Sequence, residues 1–391
     1  MTTIKTINNV SEFIKCCGCG CCESICPVHA IMMVQDGRGF FRPQINKTKC
    51  INCGVCANYC NFNYVENEVV EPLRYYAFKA NDNIRKNSQS GGAFFALAEL
   101  FLINHSNESS IYGAKLVDNR YIKHIRATTT NELRLLQKSK YAKSDIRGTF
   151  YDVYNDLMNG KYVLYSGTPC QIASIKSFLQ YKKISLEKLL LVDIICHGTP
   201  PSRFWSEYVD LIEKKNSSKV VDAKFRDKTF GWASHFETFL LENGNIIKST
   251  KYRDLFYSYH SLDDACFTCK YASYNRFSDI TLGDMWGSQE NLKDFKDKNG
   301  VSLIIVNSIK GEEIVDILLT KGEYRVVEKK ETKQPNLLHP SPMPKDYYKF
   351  WNYYQKNGFE KTIRKYIDHN YKKKINDLYK RVQNKLKRIF S

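Results

Sequence analysis

Apolar positions along the chain follow two periods, one of strands and one of helices, and the two alternate. From residue 75 the runs YYAFKA, SIYGAKLV, YVLYSG, LLLVDIIC and VSLIIVN have strand length and composition. Between them lie stretches with helical spacing: a Gly-led amphipathic SGGAFFALAELFLI, then NELRLLQ, TFYDVYNDLM, QIASIKSFL, PSRFWSEYVDLIEKK and GEEIVDILLTKG. A β-rich piece, VVDAKFRDK followed by FETFLLENGNIIKST, interrupts the alternation, with Asn243-Gly244 as its hairpin turn. The pattern predicts an α+β, mixed α/β body rather than a bundle or a sandwich.

The first 68 residues read differently. Cys16, Cys19, Cys22 and Cys26 recur at Cys50, Cys53, Cys56 and Cys60, each 34 residues further on. Between the halves, DGRGFFRP has the turn and aromatic flanks of a hairpin. Two Cys-x2-Cys-x2-Cys triplets, each with a distal fourth cysteine, predict a small two-cluster 4Fe-4S ferredoxin-like domain over 1–68. In that pattern each distal cysteine serves the other half: Cys16, Cys19, Cys22 and Cys60 form one ligand set, Cys50, Cys53, Cys56 and Cys26 the second. Zinc modules use paired knuckles instead. Gly18, Gly20 and Gly54 let backbone approach the sulfurs. Pro27 follows Cys26, but Asn61 follows Cys60 where a second proline is expected.

Ten of the 14 cysteines lie in this segment. Cys17 and Cys21 fit neither triplet; they read as residues beside a cluster, with alternative ligands or redox-reactive thiols as the other readings. The remaining four are Cys170 after a strand, Cys196 at a strand end, and the pair Cys266 and Cys269. Together they supply enough thiolates for a third cluster or a structural zinc, while single buried cysteines are also ordinary core residues. The N-terminus has no apolar export segment and no run approaches the ~18–20 residues that span a bilayer, so the expected location is a reducing cytoplasm.

Net charge is +18, and it is uneven. Residues 345–391 hold fourteen Lys/Arg against four Asp/Glu, a net +10. Pro335, Pro340, Pro342 and Pro344 mark a linker before this tail. Beyond it Ile363, Ile367, Tyr371, Ile375, Leu378, Val382, Leu386 and Ile389 make one helical stripe amid lysines and arginines. Such a tail packs on a body with a solvated basic face, contacts an anionic membrane peripherally, or docks an acidic redox protein. No motif for nucleic acid accompanies the charge.

The ordered runs SQSGGAFFALAE, YSGTPCQIA, DIICHGTPPS, FRDKTFGW, CFTC and SDITLGDMWG resemble the beta-subunit family of coenzyme F420-reducing hydrogenases and dehydrogenases, over residues 75–330. The resemblance implies an N-terminal FAD side (75–155), a C-terminal part with a third 4Fe-4S cluster (156–334), and the basic helical tail (345–391). It puts the cluster ligands on Cys170, Cys196, Cys266 and Cys269. Flavin contacts are implied at Ser90, Gly91 and Gly92, at Ser139, Tyr141 and Ser144, and at Thr168 and Pro169. Arg226, Asp227 and Lys228, with Asp284 and Trp286, are further site candidates. It implies an iron–sulfur flavin-dependent oxidoreductase that takes single electrons from a redox protein to FAD for a two-electron step on a small organic substrate, or the reverse. Some members accompany surface-polysaccharide synthesis. The competing readings are a non-catalytic electron-transfer subunit of a larger complex and a cluster-bearing binding protein tethered by its tail.

Overall fold

The computed structural model describes residues 16–62, 71–232, 235–286, 292–332 and 334–368. The ferredoxin segment begins with a short helix α1 (Cys21–Ile25), followed by strands β1 (Ile31–Gln35) and β2 (Phe41–Ile45) and helix α2 (Val55–Asn58). β1 and β2 pair antiparallel in register Ile31 to Ile45 through Gln35 to Phe41, around the predicted Asp36–Gly39 turn. The two short helices start at Gly20 and Gly54, both in the left-handed region (φ 82° and 72°) that a side chain disfavours. At Gly20 a Cβ would also meet Arg147 Cγ at 2.4 Å.

The body is a mixed eight-stranded sheet with helices on its faces. Its strands are β3 (Arg74–Ala80), β4 (Ser109–Val117), β5 (Tyr121–Ala127), β6 (Tyr162–Gly167), β7 (Leu189–Ile194), β11 (Ile280–Asp284), β12 (Ser302–Val306) and β13 (Gly322–Val326). The intervening β8 (Val220–Lys224), β9 (Glu237–Leu241) and β10 (Ile246–Ser249) form a separate antiparallel sheet. The order in the large sheet is β13-β3-β12-β11-β7-β6-β4-β5. Its centre, β4-β6-β7-β11, is parallel, and both flanks are antiparallel. The central strands are covered on both faces, which is why they read as unbroken apolar runs.

α3 (Asp82–Asn87) and α4 (Ala93–His105) follow β3. α4 is not amphipathic: Phe95, Ala96, Leu97, Ala98, Leu100, Phe101 and Leu102 are all buried. It lies on the sheet and is itself covered, so nearly its whole circumference is apolar. α5 (Thr130–Arg134) opens with a Thr129/Glu132 capping box. α6 (Thr149–Met158), α7 (Pro169–Tyr181) and α8 (Ser202–Asn216) complete the first half, then α9 (Lys251–Tyr257) and α10 (Ile309–Leu319).

The stretch with Pro335, Pro340, Pro342 and Pro344 is packed rather than a loose linker. Leu337, Asn336 and Ser341 are buried, and Ser341 Oγ donates to the His197 carbonyl at 2.7 Å. α11 (Tyr347–Ile363) docks on α8, with the Phe204 ring 5.0, 4.7 and 5.3 Å from Trp351, Tyr354 and Phe359. Burial of such rings stabilises by roughly 1.5–3 kcal/mol each. Ile363 and Ile367, the first two positions of the tail stripe, are buried on the body; the rest of the stripe lies outside the described residues. Trp351 also meets Phe40 of the ferredoxin hairpin at 5.6 Å, so one aromatic cluster joins tail, body and hairpin.

Candidate functional site

Twelve of the cysteines fall into three neighbourhoods. Cys26, Cys50, Cys53 and Cys56 line one cavity of ≈ 290 Å³ at the outer end of the ferredoxin segment, with Cys53 exposed. Cys16 and Cys60 stand in electrostatic range of Cys22, as Cys22 does of Cys19. The crossed grouping of distal cysteines is therefore the spatial one. Backbone amides already face the sulfurs: Ala30 N–H donates to Cys26 Sγ at 3.2 Å and Gly18 N–H to Cys16 Sγ at 3.4 Å. Gly18 (φ 62°) is needed for that approach, since a Cβ there would lie 2.4 Å from the Phe41 carbonyl oxygen.

The third neighbourhood is in the body. Cys170 at the start of α7, Cys196 just beyond β7, and Cys266 and Cys269 line a smaller cavity of ≈ 40 Å³. Gly198 (φ 107°) keeps it open, because a Cβ would meet Leu262 Cδ1 at 2.7 Å and Cys266 Cβ at 3.1 Å. Gly198 N–H donates to Cys196 Sγ at 3.4 Å. Lys143 enters the same space, its ammonium bonded to the Cys17 carbonyl and 3.8 Å from Asp263 Oδ2. Burial opposes its charge, but Cys17, Asp263, Cys170 and Cys266 outweigh burial and raise its pKa.

A cavity of ≈ 320 Å³ adjoins this space over the C-terminal ends of β6, β7 and β11, where sheets of this kind place ligands. Ser90, Gly92, Ser139, Tyr141, Ser144, Thr168, Asp284 and Trp286 line it. Gly91 sits behind the wall, where a Cβ would lie 2.3 Å from Phe78 O and 2.4 Å from Ser302 N. Pro169 borders the thiol cavity instead. Three separated motifs converge at the rim. Arg226 Nη1 is 3.0 Å from Asp284 Oδ2, and its Nε and carbonyl pair with the Gln89 amide at 3.2 and 3.1 Å. Lys228 donates to the carbonyls of Arg85, Ser88 and Ser90 at 2.6, 3.1 and 3.1 Å, fixing the loop that opens α4. Asp227 instead accepts from Thr229 and Thr238, within its own sheet region.

Residues 160–332 match the family described as the C terminus of the coenzyme F420 hydrogenase/dehydrogenase beta subunit, and residues 15–64 match the 4Fe-4S dicluster domain. The chain belongs to this beta-subunit family. The F(420)H(2) dehydrogenase F subunit of Methanosarcina mazei is 20% identical over 299 residues, covering 72% of this chain and 80% of that protein. A chain from a xenon-derivatised structure of the F420-reducing NiFe hydrogenase complex of Methanosarcina barkeri aligns at 16% identity with a TM-score of 0.48. That alignment covers 76% of this chain and 93% of the other. This member of the beta-subunit family is thus an iron–sulfur protein with a dicluster domain ahead of the body. Among the described residues no helix is long and apolar enough to cross a membrane.

Sequence reasoning missed four polar side chains of the large cavity. His124 is buried between Ser166 O (2.7 Å) and Ser144 Oγ (2.8 Å), and burial lowers its pKa to about 4, so the ring is neutral. Gln171 Nε2 reaches Ser144 O and Oγ, both at 3.0 Å, which ties β5, β6 and α7 together under the cavity. Lys140 donates to the Leu136 and Gln137 carbonyls at 2.9 and 2.5 Å, and burial, then Lys138, lowers its pKa to about 7. His197 borders both cavities. The signal for Lys140 lay in KSKYAKS, where attention went to the hydroxyls.

Proposed function

We propose that the chain is an iron–sulfur flavoprotein oxidoreductase that passes single electrons between a redox protein and an organic substrate. FAD would occupy the ≈ 320 Å³ cavity, and a third 4Fe-4S cluster would sit on Cys170, Cys196, Cys266 and Cys269. One observation carries the reading: the two cavities share a wall, made of Lys143, Thr168, Cys196, His197, Gly198 and Thr199. A flavin takes one or two electrons and a cluster one, so the pair couples serial electrons to a two-electron reaction.

The residues present suit both groups. Lys138, Lys140 and Lys143, with the glycine turn opening α4, offer cations and free amides to a pyrophosphate. Tyr141, Phe256, Tyr257 and Trp286 offer aromatic faces to a ring system. The four body thiols surround a cavity, and among the described residues no three Cys, His, Asp or Glu groups converge on a point where one ion would sit. A single zinc draws its ligands to within about 2.3 Å of one centre, whereas a cubane needs them spread around it. The exposed Cys53 neighbourhood, with Lys47 and exposed Ile51 beside it, is the entry face for a protein redox partner.

Anaerobic purification followed by iron and flavin analysis tests the proposal. The expected result is about twelve irons, four per cluster, and one FAD per chain. Reconstituted protein without flavin would overturn it. A second reading, an electron-transfer component without its own substrate, is favoured by the name of the Methanosarcina mazei relative, itself a dehydrogenase subunit. Bound FAD with no turnover of any small acceptor, F420 included, supports that second reading.

A further inference from the structure

Cys17 belongs to neither ferredoxin ligand set nor to the four body thiols, yet it lies between two of the three neighbourhoods. It is buried, and it lines the body thiol cavity beside Cys170. Its thiol is in hydrogen-bonding contact with the thiols of both Cys19 and Cys170. Two thiolates on different irons of one cubane stand apart across the cluster, so a sulfur in contact with two ligands of separate sites is placed as a link. Its position is held from both sides. Lys143 grips the Cys17 carbonyl, and Asn61 Nδ2 donates to Cys17 Sγ at 3.7 Å and to the Cys170 carbonyl at 2.8 Å. Tyr271 adds a hydrogen bond to the Asn61 carbonyl at 3.0 Å.

Asn61 occupies the position where the ferredoxin pattern has a second proline. A proline there would have no amide to span Cys17 and Cys170. The departure from the pattern and the spare cysteine are therefore two parts of one contact.

We propose that Cys17 is a non-ligand sulfur that joins the first ferredoxin site to the body site, and is the contact across which single electrons pass between the two modules. The inference rests on the body cluster proposed above. In each crossing one site loses an electron and the other gains it; no bond forms or breaks, and Cys17 keeps its oxidation state. A hydrogen bond from Cys17 to a ligand sulfur also raises the potential of the site that receives it.

The test uses the full chain, reconstituted anaerobically, as wild type and as Cys17→Ala, Cys17→Ser and Cys266→Ser. Iron content, midpoint potentials by EPR-monitored titration, and the rate of body-cluster reduction after rapid reduction of the ferredoxin sites are measured. Cys17→Ala is expected to keep wild-type iron, shift the body-cluster potential downward and slow its reduction several-fold. Cys17→Ser, whose hydroxyl still donates, is expected to restore the potential. Loss of about four irons in Cys17→Ala would make Cys17 a ligand and overturn the link. Unchanged potential and rate would overturn it too. A Cys266→Ser variant that keeps all its iron overturns the body cluster itself, and the link with it.

Discussion

Arg42 on the ferredoxin hairpin holds Asp263 in the body through two parallel hydrogen bonds, Nη2 to Oδ1 at 2.7 Å and Nη1 to Oδ2 at 3.2 Å. Asp263 is 1% exposed, and its remaining cation, Lys143, is 3.8 Å away. Arg42→Ala leaves a buried carboxylate short of its main partner, so the expected loss of stability is about 3 kcal/mol. Thermal unfolding checks this. Asp263→Ala in the Arg42→Ala background should recover part of the loss, because the stranded charge is gone.

Gly91 is fixed by close packing, not by its backbone angle. Two backbone atoms, Phe78 O and Ser302 N, stand 2.3 and 2.4 Å from where a Cβ would be. Gly91→Ala must push the start of α4 away from β3 and β12. The expected result is about 1–3 kcal/mol of destabilisation, read by thermal unfolding, together with weaker flavin retention, read by flavin per chain after dialysis.

Lys228 is the shared donor for three loop carbonyls, those of Arg85, Ser88 and Ser90. Lys228→Met keeps most of the side-chain volume and removes the donor. The expected cost is about 1–3 kcal/mol from unpaired carbonyls, and the SQSGG loop should exchange its amide hydrogens faster. Hydrogen exchange confined to that loop separates this from global loosening.

Glu237 carries a pH dependence far from any thiol. Its Oε1 accepts from Tyr252 N at 2.8 Å and Tyr208 Oη at 3.4 Å, while Oε2 is buried without a partner. Burial raises its pKa to about 7, against hydrogen bonds that lower it. The folded protein thus keeps this proton up to about pH 7, whereas the unfolded chain releases it near 4.5. Its contribution to stability is full below 4.5 and is lost as pH rises through 7. Glu237→Gln should flatten that part of the Tm–pH curve; an unchanged slope would show that the carboxylate is ionised in the fold.

Much of this was legible because it is local. The cysteine spacing, the Asp36–Gly39 turn, the Asn243-Gly244 hairpin and the buried β7 run each depend on neighbours in sequence. α4 was found as a helix but misjudged as amphipathic, since its covering layer comes from distant α10. β5, β11, β13 and α9 were not singled out because short, half-polar segments take their pairing from tertiary context. The roles of Asn61, Lys143 and Lys228 were invisible for the same reason: each acts on an atom far along the chain.

The place of β3 has a consequence for synthesis. β3 pairs only with β12 and β13, strands made near the end of the body. The large sheet therefore cannot close until residue 326 has emerged from the ribosome. The ferredoxin segment, in contrast, has all eight of its ligand cysteines by residue 60. Iron loading is thereby divided in time: two sites are complete on the nascent chain, and the body site must wait for Cys269 and the sheet that supports it.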